Sequence, residues 1–292
     1  MELKKGIMLY NDCDETYSNI TINAGTVHHS EHAIPLIEYG NYSYYPLFED
    51  DAYVAKPGWR SLTPKEINTL KPTSRRNDTN TVYTGKLPDK LIDLLEQLKL
   101  KESTSRAEVF ERFKANKSLT EKVNKEMEAF LNSIANGKPH KILYLGTNLP
   151  NMEVVACDTT VMPKGFKEEE KKYLGIHNDG TYYVPFNKIR HSGNRVTINL
   201  GLETRHFMFI NLTMSQAYNM IRKNYDLTNH KVDVISISKY FFSCFSSYPV
   251  LRIEQKPYEY YIAATDNCFH DGTTLGKKEL DIVLAYLGAF QH

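Results

Sequence analysis

Leu174-Gly175-Ile176-His177-Asn178-Asp179-Gly180 closes an apolar segment, runs on into Thr181-Tyr182-Tyr183-Val184-Pro185, and is followed by two strand-like runs, Asn194 to Leu200 and Arg205 to Leu212. Alternate residues of a strand share a face, so the imidazole of His177 and the carboxylate of Asp179 can point at one ion. The bland alternative is a polar turn closed by Asp179-Gly180. Two ligands on one face call for a third. His270, in Thr265-Asp266-Asn267-Cys268-Phe269-His270-Asp271-Gly272, lies between two further strand-like runs and 93 positions after His177.

Two histidines and one carboxylate, with positions left open, are the ligand set of non-haem iron(II) oxygenases. On four pieces within residues 140–290 the chain resembles the iron(II)/2-oxoglutarate-dependent oxygenase superfamily. They are the H-x-D pair, the strand Arg195-Val196-Thr197-Ile198-Asn199-Leu200, the distal His270, and the basic pair Lys277-Lys278 beyond Gly276. The resemblance implies Fe(II) on His177, Asp179 and His270, with 2-oxoglutarate as cosubstrate and O2 as oxidant. It also implies hydroxylation, desaturation or cyclisation at an unactivated C–H of a small molecule, amino acid or peptide. Halogenating members have a small residue where this chain has Asp179, so halogenation is not expected.

Members of the superfamily anchor the far carboxylate of 2-oxoglutarate on a basic residue after the distal histidine. Lys277 and Lys278 are similar to that arrangement, although members usually carry the base nearer ten positions along and often as Arg. Adjacent residues of a strand face opposite ways, so only one of the two lysines can point inward, and Lys278 is favoured. Arg205 and Arg195 are the substitutes. Arg205 sits in an apolar strand where a buried guanidinium needs an anion, either the cosubstrate or a structural Asp or Glu. His191 and His206 are reserve ligands. Asn199 and Asn211, inside apolar strands, are expected to satisfy backbone groups.

At 292 residues the chain is long enough for one catalytic domain with embellishments or for two domains. A net charge of +1 gives no general pull toward nucleic acid or anionic membrane. Cys13, Cys157, Cys244 and Cys268 are widely spaced and form no C-x-x-C pair, which fits a reduced compartment. Met1-Glu2-Leu3-Lys4-Lys5-Gly6 lacks the apolar core of a secretory signal, and no run approaches the length of a membrane span, so a cytoplasmic protein is expected.

The expected class is α+β, a double-stranded β-helix (jelly roll) with a helical subdomain packed outside. Residues 1–86 are rich in Tyr and His and read as edge strands and loops on the core, or as an arm over the substrate site. Lys71 to Thr84 reads as a loop in which Arg75 and Arg76 are solvated or meet an acidic substrate. In residues 87–138 the apolar period changes to that of helices, with Leu91, Leu94, Leu95 and Leu98 on one stripe and capping boxes at Ser105-x-x-Glu108 and Ser118-x-x-Glu121. About three helices are expected there.

Residues 139–292 form the catalytic core. Strands are expected at 140–145, 153–161, 182–186, 195–200, 205–212, 250–255, 258–263 and 280–287, and a helix from Met214 to Tyr225. Asp233 to Phe245 suits a strand or a buried helix equally. Two rivals stand beside the oxygenase: a non-catalytic jelly-roll binding protein, and a zinc hydrolase built on His28-x-x-Glu31-His32, whose chemistry needs both histidines on one helical turn.

Overall fold

The computed structural model describes residues 1–72, 80–180, 184–186, 188–189, 192–225 and 232–291. Arg75, Arg76, His191 and the first two residues of the strand expected at 182–186 lie outside the described residues, and Val184, Pro185 and Phe186 form no strand.

The chain opens with short strands: β1 (Met8–Asn11), β2 (Ile20–Ile22), β3 (Thr26–His28), β4 (Ile37–Tyr39), β5 (Tyr42–Tyr44), β6 (Leu47–Phe48), β7 (Tyr53–Ala55) and β8 (Arg60–Ser61). Helix α1 (Pro64–Leu70) and strand β9 (Thr81–Lys86) lead to α2 (Asp89–Gln97), α3 (Arg106–Ala115) and α4 (Lys117–Ala135). Then come β10 (Lys141–Asn148), β11 (Lys172–Tyr173), β12 (Asn194–Asn199), β13 (Arg205–Phe209), α5 (Met214–Asn224) and α6 (Ile237–Phe245). The last strands are β14 (Leu251–Gln255), β15 (Glu259–Ala263), β16 (His270–Thr273) and β17 (Asp281–Gly288). No helix among the described residues is long and apolar enough to cross a membrane.

Two larger sheets organise these pieces. One has the order β1-β9-β15-β12-β17-β10 and the other β16-β13-β14-β2-β8. The chain passes from one to the other at β12 to β13, β14 to β15, β15 to β16 and β16 to β17. Strands from the first 86 residues are hydrogen-bonded into both sheets: β1 pairs in parallel with β9, β9 pairs with β15, and β2 pairs with β14.

The period-two pattern sorts the side chains. On β12, Val196 and Ile198 join one large apolar cluster with Leu91, Leu95, Met127 and Leu131, so α2 and α4 cover the outer face of the first sheet. Phe130 of α4 meets the Tyr260 ring of β15 edge-on at 5.2 Å. Phe207, Phe209, Leu251, Ile253, Tyr261 and Ala263 form a second cluster from inward positions of both sheets. The next inward positions are polar. Arg205, Gln255, Lys277 and Asp281 are all buried there.

The helical stretch has the three helices its stripe predicts. Ser105 caps α3 by accepting the Glu108 N–H, but the Glu108 carboxylate reaches Thr104 instead of closing a box. Ser118 caps nothing, because α4 starts at Lys117. Thr213 caps α5 in a full capping box with Gln216. Asp233 to Phe245 resolves as a helix over its second half, with Ile237, Phe241 and Phe242 buried on one side. Residues 153–161 form no continuous strand. The N–H groups of Val155 and Ala156 donate to the Asp271 carboxylate, and the Asp158 side chain accepts the Thr160 N–H of a 3-10 turn. Side chains there take the donors a ladder would need.

Asp281 ties the polar half of the interior together. It is fully buried and accepts Lys277 Nζ at 2.9 Å and Asn148 Nδ2 at 2.8 Å, with Arg205 Nε at 3.4 Å. Burial alone would push its carboxyl up, but the Arg205 and Lys277 charges outweigh that and hold it below the usual range. Its stabilisation is therefore complete at neutral pH and is lost only as acid carries the pH through the folded value. Asp281→Ala leaves two buried cations without an anion and is expected to cost about 3–5 kcal/mol in urea unfolding at pH 7. A loss under about 1 kcal/mol would contradict this account of the interior.

Candidate metal centre

The site is built by one backbone pairing. His177 and His270 form an antiparallel bridge in which each donates to the other's carbonyl, at 3.1 and 2.6 Å. A pair of this kind puts two side chains side by side on one face, and the imidazole rings lie 4.9 Å apart. Asp179, two positions on, returns to that face, and its N–H donates to the Thr265 carbonyl. His177 Nε2 is 3.6 Å from Asp179 Oδ1, and His270 Nε2 is 3.4 Å from Asp179 Oδ2. One ligand atom from each residue lies within 4.8 Å of the others.

The imidazoles are prepared as ligands. His177 Nδ1 donates to the Gly175 carbonyl at 2.9 Å and His270 Nδ1 to the Cys268 carbonyl at 3.3 Å. A carbonyl only accepts, so the ring proton stays on Nδ1 and each Nε2 keeps its lone pair toward Asp179. Burial, then the neighbouring His177 and Arg195, hold the pKa of His270 well below its usual value, so the ring is neutral at physiological pH. Two imidazole nitrogens and one carboxylate, with hydrogen-bonded outer nitrogens, fit a divalent transition metal.

Gly175 makes the approach possible. Its φ is +72°, and a Cβ there would sit 2.5 Å from the Tyr53 carbonyl oxygen. Its carbonyl also orients His177. Sequence alone gives no reason to single it out.

The basic candidates fall into two places. Arg195 on β12 is ion-paired with Asp179 and hydrogen-bonded to Thr265 Oγ1, with Asp266 Oδ1 at 3.9 Å from its Nη2. Arg205 lies deeper. A Cβ at Gly272 would be 2.6 Å from its Nη2, so the guanidinium crosses β16 two residues past His270. It donates to Gln255 Oε1 at 3.1 Å and engages the Tyr261 hydroxyl. Where the sequence favours Lys278 as the inward lysine, the fold turns Lys277 inward against Asp281 and leaves Lys278 exposed, its backbone N–H on Glu203. The turn Thr274–Gly276 precedes them, so the lysines enter out of phase with a simple strand.

Other candidates stay apart from the triad. His206, pushed down to about 4 by burial and by Arg252, Arg205 and Lys277, is on β13 and outside the triad. Asn211 accepts from the Tyr248 hydroxyl and donates to the Lys4 carbonyl, and Asn199 donates to the Glu203 and Gln255 carbonyls. The zinc-hydrolase reading fails on geometry: His28 ends β3, only His29–Glu31 form a 3-10 turn, and His32 is extended. His28 Nε2 bonds the Asp50 carbonyl while His32 pairs with Glu153, so the two do not share an ion. Asp281, Asp266 and Tyr261 are site neighbours that the sequence does not announce, since their roles depend on strands far away in the chain.

Beside Arg195 a cavity of about 270 Å³ is lined by Gly180, Val184, Ile189, Ser192, Val234, Asp266 and Leu287.

No protein-family model matches the chain, and no curated protein matches it. Among solved structures it is similar to the Kdo hydroxylase KdoO, a non-heme Fe(II) alphaketoglutarate dependent dioxygenase. The cobalt(II) complex of that protein aligns at 12% identity and a TM-score of 0.38, over 72% of this chain and 80% of that one. The complex with succinate and Fe(III) aligns at 11% identity and a TM-score of 0.37, with the same coverage.

His177→Ala and His270→Ala are expected to abolish tight retention of Fe(II), read by metal analysis after desalting, with the circular-dichroism spectrum preserved. Gly175→Ala is expected to weaken metal affinity by about 10–100-fold by displacing the carbonyl that orients His177. Full metal retention in both histidine variants would remove the site.

Proposed function

We propose that the chain is a non-haem Fe(II)/2-oxoglutarate-dependent dioxygenase acting on a small-molecule, amino-acid or peptide substrate at an unactivated C–H. The observation that carries this is the convergence of His177, Asp179 and His270 on one point, each imidazole locked with Nε2 free. The two sheets are read as a double-stranded β-helix. In this arrangement β10, the His177 segment, and β12 through β17 are its eight strands, with the triad at one mouth and α2 to α4 outside.

When bound, the metal supplies the reduction of O2 coupled to oxidation of 2-oxoglutarate to succinate and CO2, one oxygen atom entering succinate and the other the substrate C–H bond. The protein's part is positioning and charge. His177, Asp179 and His270 would hold the ion and leave coordination positions for ligands. Arg205, Lys277 and Asp281 give the interior two buried cations and one carboxylate, an excess of one positive charge. A second carboxylate would balance it, and the Arg205 guanidinium, which crosses β16 at Gly272 two residues past His270, is the proposed anchor for the far carboxylate of the cosubstrate. Lys277 holds Asp281 and thereby aims Arg205. Burial of Arg205 and Lys277 strengthens this pairing relative to bulk water. Arg195, bound to Asp179, keeps the ligand carboxylate oriented.

The test is succinate formation from 2-oxoglutarate with Fe(II) in air. The wild-type protein is expected to form it, and Asp179→Ala is not. Arg205→Met is expected to raise KM for 2-oxoglutarate by about tenfold or more, the scale for losing a buried charged partner. No succinate from the wild type, or an unchanged KM in Arg205→Met, would contradict the assignment.

A further inference from the structure

The cavity beside Arg195 is small, has mostly apolar walls, and holds a guanidinium and a carboxylate that face each other at 3.9 Å without a hydrogen bond. Arg195 commits its Nη1 to Asp179 and Thr265, but its Nε is buried and has no hydrogen-bond partner among the described residues. Its Nη2 is 3.9 Å from Asp266 Oδ1, beyond hydrogen-bond length, and that oxygen is also buried without a partner. Buried polar atoms left unpaired are costly, and a pair of opposite sign at the edge of a cavity calls for a ligand that satisfies both. The Nε and Nη2 of one guanidinium form the fork that takes a carboxylate through two parallel hydrogen bonds. Asp266 accepts from an ammonium.

The remaining described walls are Val184, Ile189, Val234 and Leu287, with Gly180 and Ser192 adding little bulk. The volume of about 270 Å³ is below the roughly 300–1,000 Å³ of pockets for drug-sized ligands. A peptide backbone would present neutral amides to both charges and leave them unpaired.

We infer that the substrate is a free aliphatic α-amino acid, its carboxylate on Arg195, its ammonium on Asp266, and its side chain among Val184, Ile189, Val234 and Leu287. The inference names the substrate of the oxygenase proposed above and rests on it for the chemistry, while the binding itself is independent. Because Arg195 also touches Asp179, an amino acid held in this way lies next to the metal-binding face.

The experiment is calorimetric titration of L-valine, L-leucine, L-isoleucine and L-methionine into the purified protein, with and without Fe(II) and 2-oxoglutarate under nitrogen. Each is repeated as its N-acetyl and its carboxamide derivative, and succinate is then measured in air. At least one free amino acid is expected to bind and to raise succinate formation. Both derivatives are expected to lose about tenfold or more in affinity, each leaving a charged group unpaired. Asp266→Asn is expected to weaken the free amino acid and narrow its advantage over the N-acetyl form. The derivative series on the wild-type protein decides the matter even if that variant does not fold. Succinate formation with no free amino acid bound, or equal binding of capped forms, overturns the inference and leaves the oxygenase standing. Amino-acid binding without succinate overturns the oxygenase and leaves the pocket standing.

Discussion

The two hydrogen bonds exchanged between the backbones of His177 and His270 are the constraint on which the site depends. They fix the register of a loop segment against β16, and a slip of one residue would send every side chain to the opposite face. With the register set, Asp179 follows from the period of two, and the glycine two residues before His177 supplies both the sharp entry and the carbonyl that fixes the His177 tautomer. The convergence of the triad is therefore a property of backbone pairing before it is a property of side chains, and the pairing brings His270 to the H-x-D segment from 93 positions away.

Behind the triad the space between the sheets is divided. Phe207, Phe209, Leu251 and Ile253 fill one part, and the part next to His270 and Gly272 holds Arg205, Lys277, Gln255 and Asp281. Burying charge so deeply is costly unless partners are complete, and among the described residues Arg205 and Lys277 share the single carboxylate of Asp281. A buried, positively charged cluster beside the triad is what the proposed binding of a dianionic oxo acid requires. Arg195 and Asp266 repeat the theme at the mouth, where the unpaired atoms are of both signs.

Much of this is legible in the chain because it is local. The H-x-D spacing, the alternation in Asn194–Asn199 and Arg205–Phe209, the Leu stripe of α2 and the Thr213 cap each follow from residues a few positions apart. What escaped depends on long-range partners. Residues 153–161 carry strand-forming side chains, yet Asp271, more than a hundred residues away, takes their N–H groups. The choice between Lys277 and Lys278 turns on the geometry of the preceding turn and on Asp281, neither of which a strand period encodes. His28 and His32 match a zinc spacing in sequence and are separated by an extended residue conformation and by different partners. Gly175 shows itself only through its positive φ and the Tyr53 carbonyl beside it.

The most direct measurement of the central claim is anaerobic addition of 2-oxoglutarate to the Fe(II)-loaded protein, followed by visible absorption. Chelation of Fe(II) by the oxo acid on a face held by two imidazoles and a carboxylate gives a metal-to-ligand charge-transfer band. The band is expected in the wild-type protein and is expected to be absent in His270→Ala. A wild-type protein that gives no band, or a His270→Ala protein that keeps it, would contradict the assignment of His177, Asp179 and His270 as the iron site.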